Sequence, residues 1–296
     1  MAMTRAVSTV VDVTVFLLFV GAAAAVVLNG TIAESSRVGN PAAADAELLA
    51  TSTATVEYSL STRGLGANHT APAWVANGTT RRQRSAHGTV AELLGDAAMR
   101  SVTVDGRPLS RSGTAFKRVL SATTQRRLQE RRRSSAVRVR WQPYPGAPIG
   151  GSYHVGDRPP RDRSVRAGSV TVPSGMDNAT ARALVAARSS GYDGVATVVA
   201  RTIVTGLFPP ERTELALQGD YPADVLTAAR YAQAANATRT SLPIQRGNVT
   251  ALNRRLTAAL ADELEADMRT RFRSPATAAR ATETHRVRVT VRTWSP

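Results

Sequence analysis

The feature that most constrains this chain is an apolar run near its N-terminus, from Val7 to Leu28. One acidic residue, Asp12, interrupts the run, and one basic residue, Arg5, precedes it. About 20 apolar residues in a helix suffice to cross a bilayer, and a basic residue before such a helix favours a cytoplasmic N-terminus. The pattern predicts a single transmembrane helix over residues 7–28. It places a short leader, residues 1–6, in the cytoplasm and the bulk of the chain outside the cell membrane.

The composition of the chain as a whole indicates a folded domain after the apolar run. A hydrophobic fraction of 43% is typical of globular proteins, so we expect a linker over residues 29–40 and an extracellular domain over 41–296. Cysteine is absent, which excludes disulfides and thiolate metal sites. The net charge is +16, and Lys117 is the only lysine. The abundant arginine reflects either codon bias on a solvated surface or a basic exterior that meets anionic lipid heads, acidic envelope proteins or nucleic acid, and charge alone does not choose among these. We expect membrane lipid as a partner because of the predicted spanning helix.

Asn-X-Thr triplets support the extracellular location. Six of the eight asparagines open such a triplet, and this acceptor motif for N-glycosylation is useful only on chains that cross to the glycosylating side. The first, Asn29, adjoins the predicted membrane helix. We expect glycosylation at the other five: Asn68, Asn77, Asn178, Asn236 and Asn248. Asparagine also favours helix N-caps, which offers another explanation for Asn178 and Asn248.

Three interpretations of the N-terminus remain open. The apolar run is a plain signal anchor, a secretory signal cut after Thr31-Ile32-Ala33, or a prepilin-type signal. The second interpretation is the weakest, because the run is long for a removable signal and its cleavage site is poor.

The third interpretation depends on the motif Arg5-Ala6-Val7-Ser8, which resembles the processing site of archaeal type IV pilins. The opening is also similar to that of a family of uncharacterised haloarchaeal single-pass membrane proteins. The resemblance implies cleavage between Ala6 and Val7 and retention of the hydrophobic helix as an anchor and as the packing core of a filament. It also implies an assembly role for Asp12 near the new amine, although a carboxylate there also reaches interfacial water.

The extracellular part has the pattern of an α+β fold with a small antiparallel sheet and several helices. Residues 137–141 and 287–292 both alternate valine with arginine, and 169–172 and 53–60 are two further strand candidates. Helical spacing of apolar residues predicts helices from residue 41, near residue 90, over 113–131 and through a block from about 176 to 283.

If the alternating strands share one sheet, their arginines lie on its solvated face. This basic face consists of Arg138, Arg140, Arg288 and Arg292. We expect Trp141 and Trp294, which end their strands, at its edge. A basic face of this kind either binds an anionic partner or is simply a solvated sheet surface whose long side chains cover apolar area.

The search for chemistry yields no catalytic residues, no metal ligands and no cofactor motif. The four histidines, His69, His87, His154 and His285, are far apart and form no metal-binding spacing. No nucleophile elbow and no phosphate loop is present. We therefore expect a protein that is not an enzyme and has no small-molecule substrate.

Two functions follow from these patterns. The first is a non-enzymatic pilin-like or accessory membrane-anchored subunit of an archaeal type IV pilus-like or secretion apparatus, whose partners are the other subunits of that assembly. The alternative is a membrane-tethered cell-surface binding module whose basic face engages anionic partners. The candidate partners of that face are envelope glycans, lipid heads and DNA; charge alone does not choose among them, and we do not expect nucleic acid to be the main one.

Overall fold

The fold is described from a computed structural model of the chain. The described residues are 40–60, 83–109, 113–130, 134–219, 221–244 and 248–295. Apart from Asn40, they all belong to one compact unit, Pro41–Pro296.

The described residues form eight helices and eight strands. The helices are α1 (Pro41–Thr51), α2 (Val90–Met99), α3 (Thr114–Gln129), α4 (Thr180–Leu207), α5 (Pro210–Gln218), α6 (Ala223–Ala237), α7 (Val249–Arg271) and α8 (Pro275–Arg280). The strands are β1 (Thr53–Ser59), β2 (Gln83–Thr89), β3 (Val102–Val104), β4 (Arg107–Pro108), β5 (Ser134–Trp141), β6 (Ile149–Val155), β7 (Val165–Pro173) and β8 (Arg286–Trp294).

The strands form two antiparallel sheets. A two-stranded sheet pairs β1 with β2, and a six-stranded sheet has the order β4-β3-β6-β5-β8-β7. In β8, Val287, Val289 and Val291 are fully buried while the residues between them reach the opposite side. This alternation gives the large sheet one apolar inner face and one open outer face.

Helices α1 and α2 cover the inner face, and small residues allow them to approach closely. A Cβ atom on Gly95 of α2 would lie 2.8 Å from Val172 Cγ2 on β7, and one on Gly168 of β7 would collide with the backbone of Ala42 and Ala43 in α1. Helix α2 begins with a capping box, in which Glu92 N donates to Thr89 Oγ1 at 3.2 Å and Thr89 N donates to the Glu92 carboxylate at 3.0 Å.

All regular structure among the described residues between β7 and β8 is helical, in agreement with the predicted helical block. Helix α4 packs along α7 and α8. Within α4 only Gly191 leaves the helical region, with φ 62° and ψ −141°. Residues 191–194 therefore contain a kink at one glycine, after which the helix continues.

The predicted fold class needs correction in two respects. No helix of the described residues is long and apolar enough to cross a membrane, so the fold as described does not contain the predicted spanning helix. The two longest helices, α4 and α7, carry charged residues along their exposed faces. The predicted span, 7–28, lies outside the described residues, as do the leader and most of the linker.

The second correction concerns the sheet. The single small sheet that we predicted is a six-stranded sheet, and a separate two-stranded sheet accompanies it. The strands that sequence patterns missed are β2, β3, β4 and β6. Strand β2 is polar and mostly exposed, β3 and β4 are very short, and β6 begins Ile-Gly-Gly, so none has a clear alternation of apolar and polar residues.

Candidate anion-binding site on the open sheet face

The central strands β5 and β8 bring four of the predicted arginines together on the outer face. In their antiparallel register, Arg140 lies directly opposite Arg288, and Arg138 lies opposite Thr290. Arg292 follows two residues further along β8, opposite Ala136. The valines between these positions are buried on the inner face, so the period of two places every one of the four arginines on the open side.

The spacing within this group follows from strand geometry. Directly opposite residues in an antiparallel pair have Cα atoms about 4.5–5.5 Å apart. Alternate residues along one strand are about 7 Å apart. Arg288 therefore has Arg140 across the ladder, Arg286 beside it on β8 and Arg138 on the diagonal as its nearest cationic neighbours. Like charges at such positions destabilise a sheet unless another charge compensates them.

The arginines line a groove with a volume of about 400 Å³. Its floor is formed by β5 and β8, and the segment that follows β5 adds Gln142, Tyr144 and Pro145. The full set of lining residues is Arg138, Arg140, Gln142, Tyr144, Pro145, Thr171, Glu283, Arg286, Arg288, Thr290 and Arg292. We call this the arginine groove.

Little negative charge within the described residues offsets these cations. Arg286 Nη1 lies 3.6 Å from Glu283 Oε1, an exposed pair whose contribution to stability is small. Among the described residues, no carboxylate lies within ion-pair distance of Arg138, Arg140, Arg288 or Arg292. The groove therefore has an excess of positive charge on a concave surface, the condition under which a protein attracts anions.

Tyr144 lies at the end of the groove and is almost fully buried. Its ring packs edge-on against Phe272, with ring centroids 5.6 Å apart. Burial raises the pKa of the Tyr144 hydroxyl, and the negative charge of Asp267 raises it further. The Asp267 carboxylate faces this hydroxyl, but the two groups do not reach full hydrogen-bond geometry.

The structure changes the expected role of one tryptophan. Trp141 is buried on the inner face, and its Nε1–H donates to the Thr284 carbonyl at 2.8 Å, so the prediction that it lies at the edge of the basic face is wrong. Alternate residues of a strand face the same side of the sheet, and Trp141 is in step with the buried Val137 and Val139. Trp294 ends β8 on the arginine side, half-buried, and pairs with Val165 of β7.

Sequence reasoning missed two residues on this face, an arginine and a histidine. Arg286 begins β8 and continues the same alternation as Arg288, so extending the strand by one residue would have found it. His154 lies opposite Arg138 on β6, where its side chain is exposed. No regular pattern marks β6 in the sequence, and this side chain was therefore not assigned to the face.

The predicted glycosylation sites are only partly described. Asn178, Asn236 and Asn248 are exposed. Asn248 also caps α7, where its Oδ1 accepts from Ala251 N at 3.2 Å, and Asn178 Oδ1 accepts from Thr180 N at 3.0 Å. Asn236 lies in the last turn of α6. The remaining predicted residues, Asn68, Asn77, Arg5, Ala6, Val7 and Asp12, lie outside the described residues.

The described part of the chain contains no group of three or more His, Cys, Asp or Glu residues arranged to hold a metal ion. His87 Nδ1 lies 3.0 Å from Thr55 Oγ1 across the small sheet, and His154 is on the large one. His285 is at the start of β8, where its Nδ1 is buried and has no hydrogen-bond partner among the described residues.

These features define a class: an α+β protein with an antiparallel sheet that is covered by helices on one face and carries an arginine-lined groove on the other. The chain belongs to a family of unknown function, DUF7284, whose model matches residues 11–294. Comparison with curated proteins and with solved structures gave no match.

Proposed function

We propose that this protein is a non-enzymatic binding module whose arginine groove binds an acidic polysaccharide. The observation that carries the proposal is the pairing of Arg140 with Arg288 in the centre of an exposed sheet face without a compensating carboxylate among the described residues. A solvated sheet face needs no such arrangement, because alternating charges of opposite sign would be more stable there.

The shape of the site supports an extended ligand. The arginines of β8 extend from Arg286 to Arg292, about 20 Å along the strand. Each guanidinium offers a planar fork of donors that matches a carboxylate or sulfate group. The groove therefore suits a chain with regularly repeated negative charges.

The surroundings of the arginines support a sugar polymer in particular. Hydroxyl groups from Thr290, between Arg288 and Arg292 on β8, and from Thr171, opposite Arg288 on β7, add neutral hydrogen-bonding groups. Trp294 and the exposed Val165 form an apolar patch at one end of the same face. Aromatic rings next to polar groups form mixed surfaces that suit ligands with both apolar and polar sides.

The test compares two variants of equal net charge on a heparin column. In the first, Arg138, Arg140, Arg288 and Arg292 are changed to Gln. In the matched control, four exposed arginines outside the groove are changed to Gln: Arg118, Arg188, Arg254 and Arg255. We expect the groove variant to elute at clearly lower NaCl than the wild type and the control to elute near the wild type.

Equal elution of the two variants would mean that net charge alone causes retention, and the proposal would fail. A second measurement uses double-stranded DNA of the same charge as a competitor. If DNA displaces the protein from heparin at equal or lower concentration, the groove binds phosphate polymers and the assignment to polysaccharide is wrong.

The pilin-like accessory role is a separate proposal that depends on Arg5-Ala6-Val7-Ser8, outside the described residues. Mass spectrometry of the N-terminal peptide tests it. A mature chain that begins at Val7, and a block of this cleavage by Arg5→Ala, would support prepilin-type processing. A chain that begins at Met1 or Ala2 would exclude it and leave the binding module as the working model.

A further inference from the structure

A second cavity lies away from the arginine groove, between the end of α2, the end of α4 and helices α5 and α6. Its volume is about 430 Å³, within the range of sites that bind small molecules. Three arginines from three different helical segments line it: Arg100, Arg212 and Arg230. We call it the three-arginine cavity.

Arg230 is the best-defined of the three. Its side chain is partly buried, and Nη2 donates to the Leu207 carbonyl at the end of α4 at 2.9 Å. The guanidinium lies over the ring of Phe208, 5.1 Å from its centroid. Burial lowers the pKa of Arg230, and the positive charge of Arg100 lowers it further. An arginine nevertheless keeps its charge in proteins.

Arg100 has a similar environment. It follows α2, and its guanidinium lies over the ring of Phe116 at 4.7 Å and over that of Tyr58 at 5.8 Å. Aromatic faces offset part of the cost of taking a cation out of water. They provide no hydrogen-bond acceptor for the guanidinium donors.

The hydrogen bond from Arg230 to the end of α4 explains only part of the clustering of these arginines. One hydrogen bond to Leu207 uses one of the five N–H donors of Arg230. No carboxylate of the described residues lies within ion-pair distance of any of the three arginines. Asp96, the one acidic residue in the lining, is four residues before Arg100 on the same helix. Among the described residues, the cavity thus holds two neighbouring positive charges, and their side-chain hydrogen-bond donors other than the Arg230 Nη2–Leu207 contact have no hydrogen-bond acceptor there.

The rest of the lining is largely apolar and rigidly held. It consists of Met99, Val102, Leu109, Gly206, Leu207, Phe208, Pro209 and Ala216, with hydroxyl groups from Thr213 and Thr227. Phe208 stacks on Tyr231 with centroids 4.4 Å apart. Asn253 fixes this pair, because it accepts from the Tyr231 hydroxyl at 2.7 Å and donates to the Phe208 carbonyl at 2.9 Å.

We propose that the three-arginine cavity binds a small amphipathic organic acid, whose carboxylate meets the guanidinium groups and whose apolar body lies against the apolar lining. Arginine forks bind planar carboxylates in a bidentate manner. A preformed apolar pocket with a few convergent polar groups is the usual form of a small-molecule site. This site is independent of the arginine groove and of the function proposed for it.

The first experiment is calorimetric titration of the purified full-length chain with octanoate, 1-octanol and inorganic phosphate. Octanoate combines the required charge and apolar body, octanol lacks the charge and phosphate lacks the apolar body. We expect one octanoate per chain, bound at least tenfold more tightly than either of the other two compounds. Equal binding of octanol or of phosphate, or no binding of octanoate, would overturn the proposal.

Variants then locate the site. Arg212 is exposed and has no side-chain partner among the described residues, so Arg212→Gln leaves the fold intact. We expect it to weaken octanoate binding severalfold, and Arg230→Gln to weaken it at least tenfold, with Arg118→Gln as the control that binds like the wild type. Wild-type affinity in Arg212→Gln would refute this assignment even if Arg230→Gln failed to fold.

Discussion

Changing Arg288 to Gln should increase stability while it weakens binding in the arginine groove. Arg288 lies opposite Arg140 at the centre of the exposed face and also has Arg138 and Arg286 as neighbours. Gln keeps the start of the side-chain stem and removes the charged guanidinium group with its hydrogen-bond donors. The salt dependence of the stability change therefore identifies the electrostatic cost of the cluster.

The size of this cost follows from Coulomb's law. Two unit charges about 6 Å apart repel each other by about 0.7 kcal/mol in water. Screening at 0.15 M ionic strength reduces this to about 0.3 kcal/mol per pair, and at 1 M to about 0.1 kcal/mol. Arg288 has three cationic neighbours, so the repulsion that Arg288→Gln removes at 0.15 M is at most about 1 kcal/mol. Flexible stems let the guanidinium groups move apart, so we expect a measured gain of roughly 0.3–1 kcal/mol.

The assay is urea unfolding at 0.15 M and 1 M NaCl, followed by circular dichroism. We expect the midpoint of Arg288→Gln to rise above that of the wild type at 0.15 M with an unchanged slope, and the difference to shrink at 1 M. Arg118→Gln, an exposed change on α3, is the matched control. A loss of stability in Arg288→Gln, or a gain that does not depend on salt, would show that the arginines do not repel one another as argued.

Two further predictions concern other parts of the fold. Asn248→Ala should destabilise the protein by about 1 kcal/mol, because it removes the N-cap of α7. Thr250→Ala should remove the glycosylation motif at little cost in stability. Thermal unfolding and intact-mass measurement separate the two effects, and equal destabilisation by both changes would contradict the capping role. Burial, together with the Asp105 carboxyl, raises the pKa of Glu263 to about 7, above its ordinary value of 4.5. The folded chain then retains a proton that the unfolded chain releases, so this residue's contribution to stability should fall as pH rises from 4.5 to 7. Glu263→Gln should flatten that part of the profile in urea titrations at several pH values, and an unchanged profile would exclude Glu263 as its cause.

The exposed arginines were predictable because strand periodicity is a local property. Residues 137–141 and 287–292 alternate valine and arginine, and this alternation alone assigns Arg138 and Arg288 to a solvated face. The same rule assigns Trp141 to the buried face, so its expected place at the edge of the basic face contradicted the pattern itself. Arg286 was missed only because the predicted strand began one residue too late.

The pairing of these arginines was not predictable in the same way. β5 and β8 are about 150 residues apart in the chain, and five helices separate β7 from β8. Their register depends on how those helices close the loop and pack, which no local pattern specifies. β6 offered no signal because glycines replace the apolar residues that mark a strand. A Cβ on Gly151 would collide with the carbonyl of Ala98 in α2, so packing of the helix on the sheet explains that glycine.

The three-arginine cavity was invisible in the sequence for a different reason. Arg100, Arg212 and Arg230 belong to separate helical segments, and each is an unremarkable member of an arginine-rich composition. What distinguishes Arg100 and Arg230 is their tertiary surroundings, namely an aromatic face beneath each guanidinium and no carboxylate of the described residues within ion-pair distance. Composition accounts for abundant arginine on the surface.

Composition does not account for arginines that lie close together in concave places, because repulsion and desolvation both act against such an arrangement. An arginine that serves only solubility can lie beside an acidic residue, as in the α7 pairs Glu265–Arg269 and Asp267–Arg271, or lie alone in water. The groove and the cavity depart from that arrangement at two separate places. The chain therefore has arginines that are paired with carboxylates and arginines that cluster without them. An anionic ligand would supply the missing negative charge at the clusters.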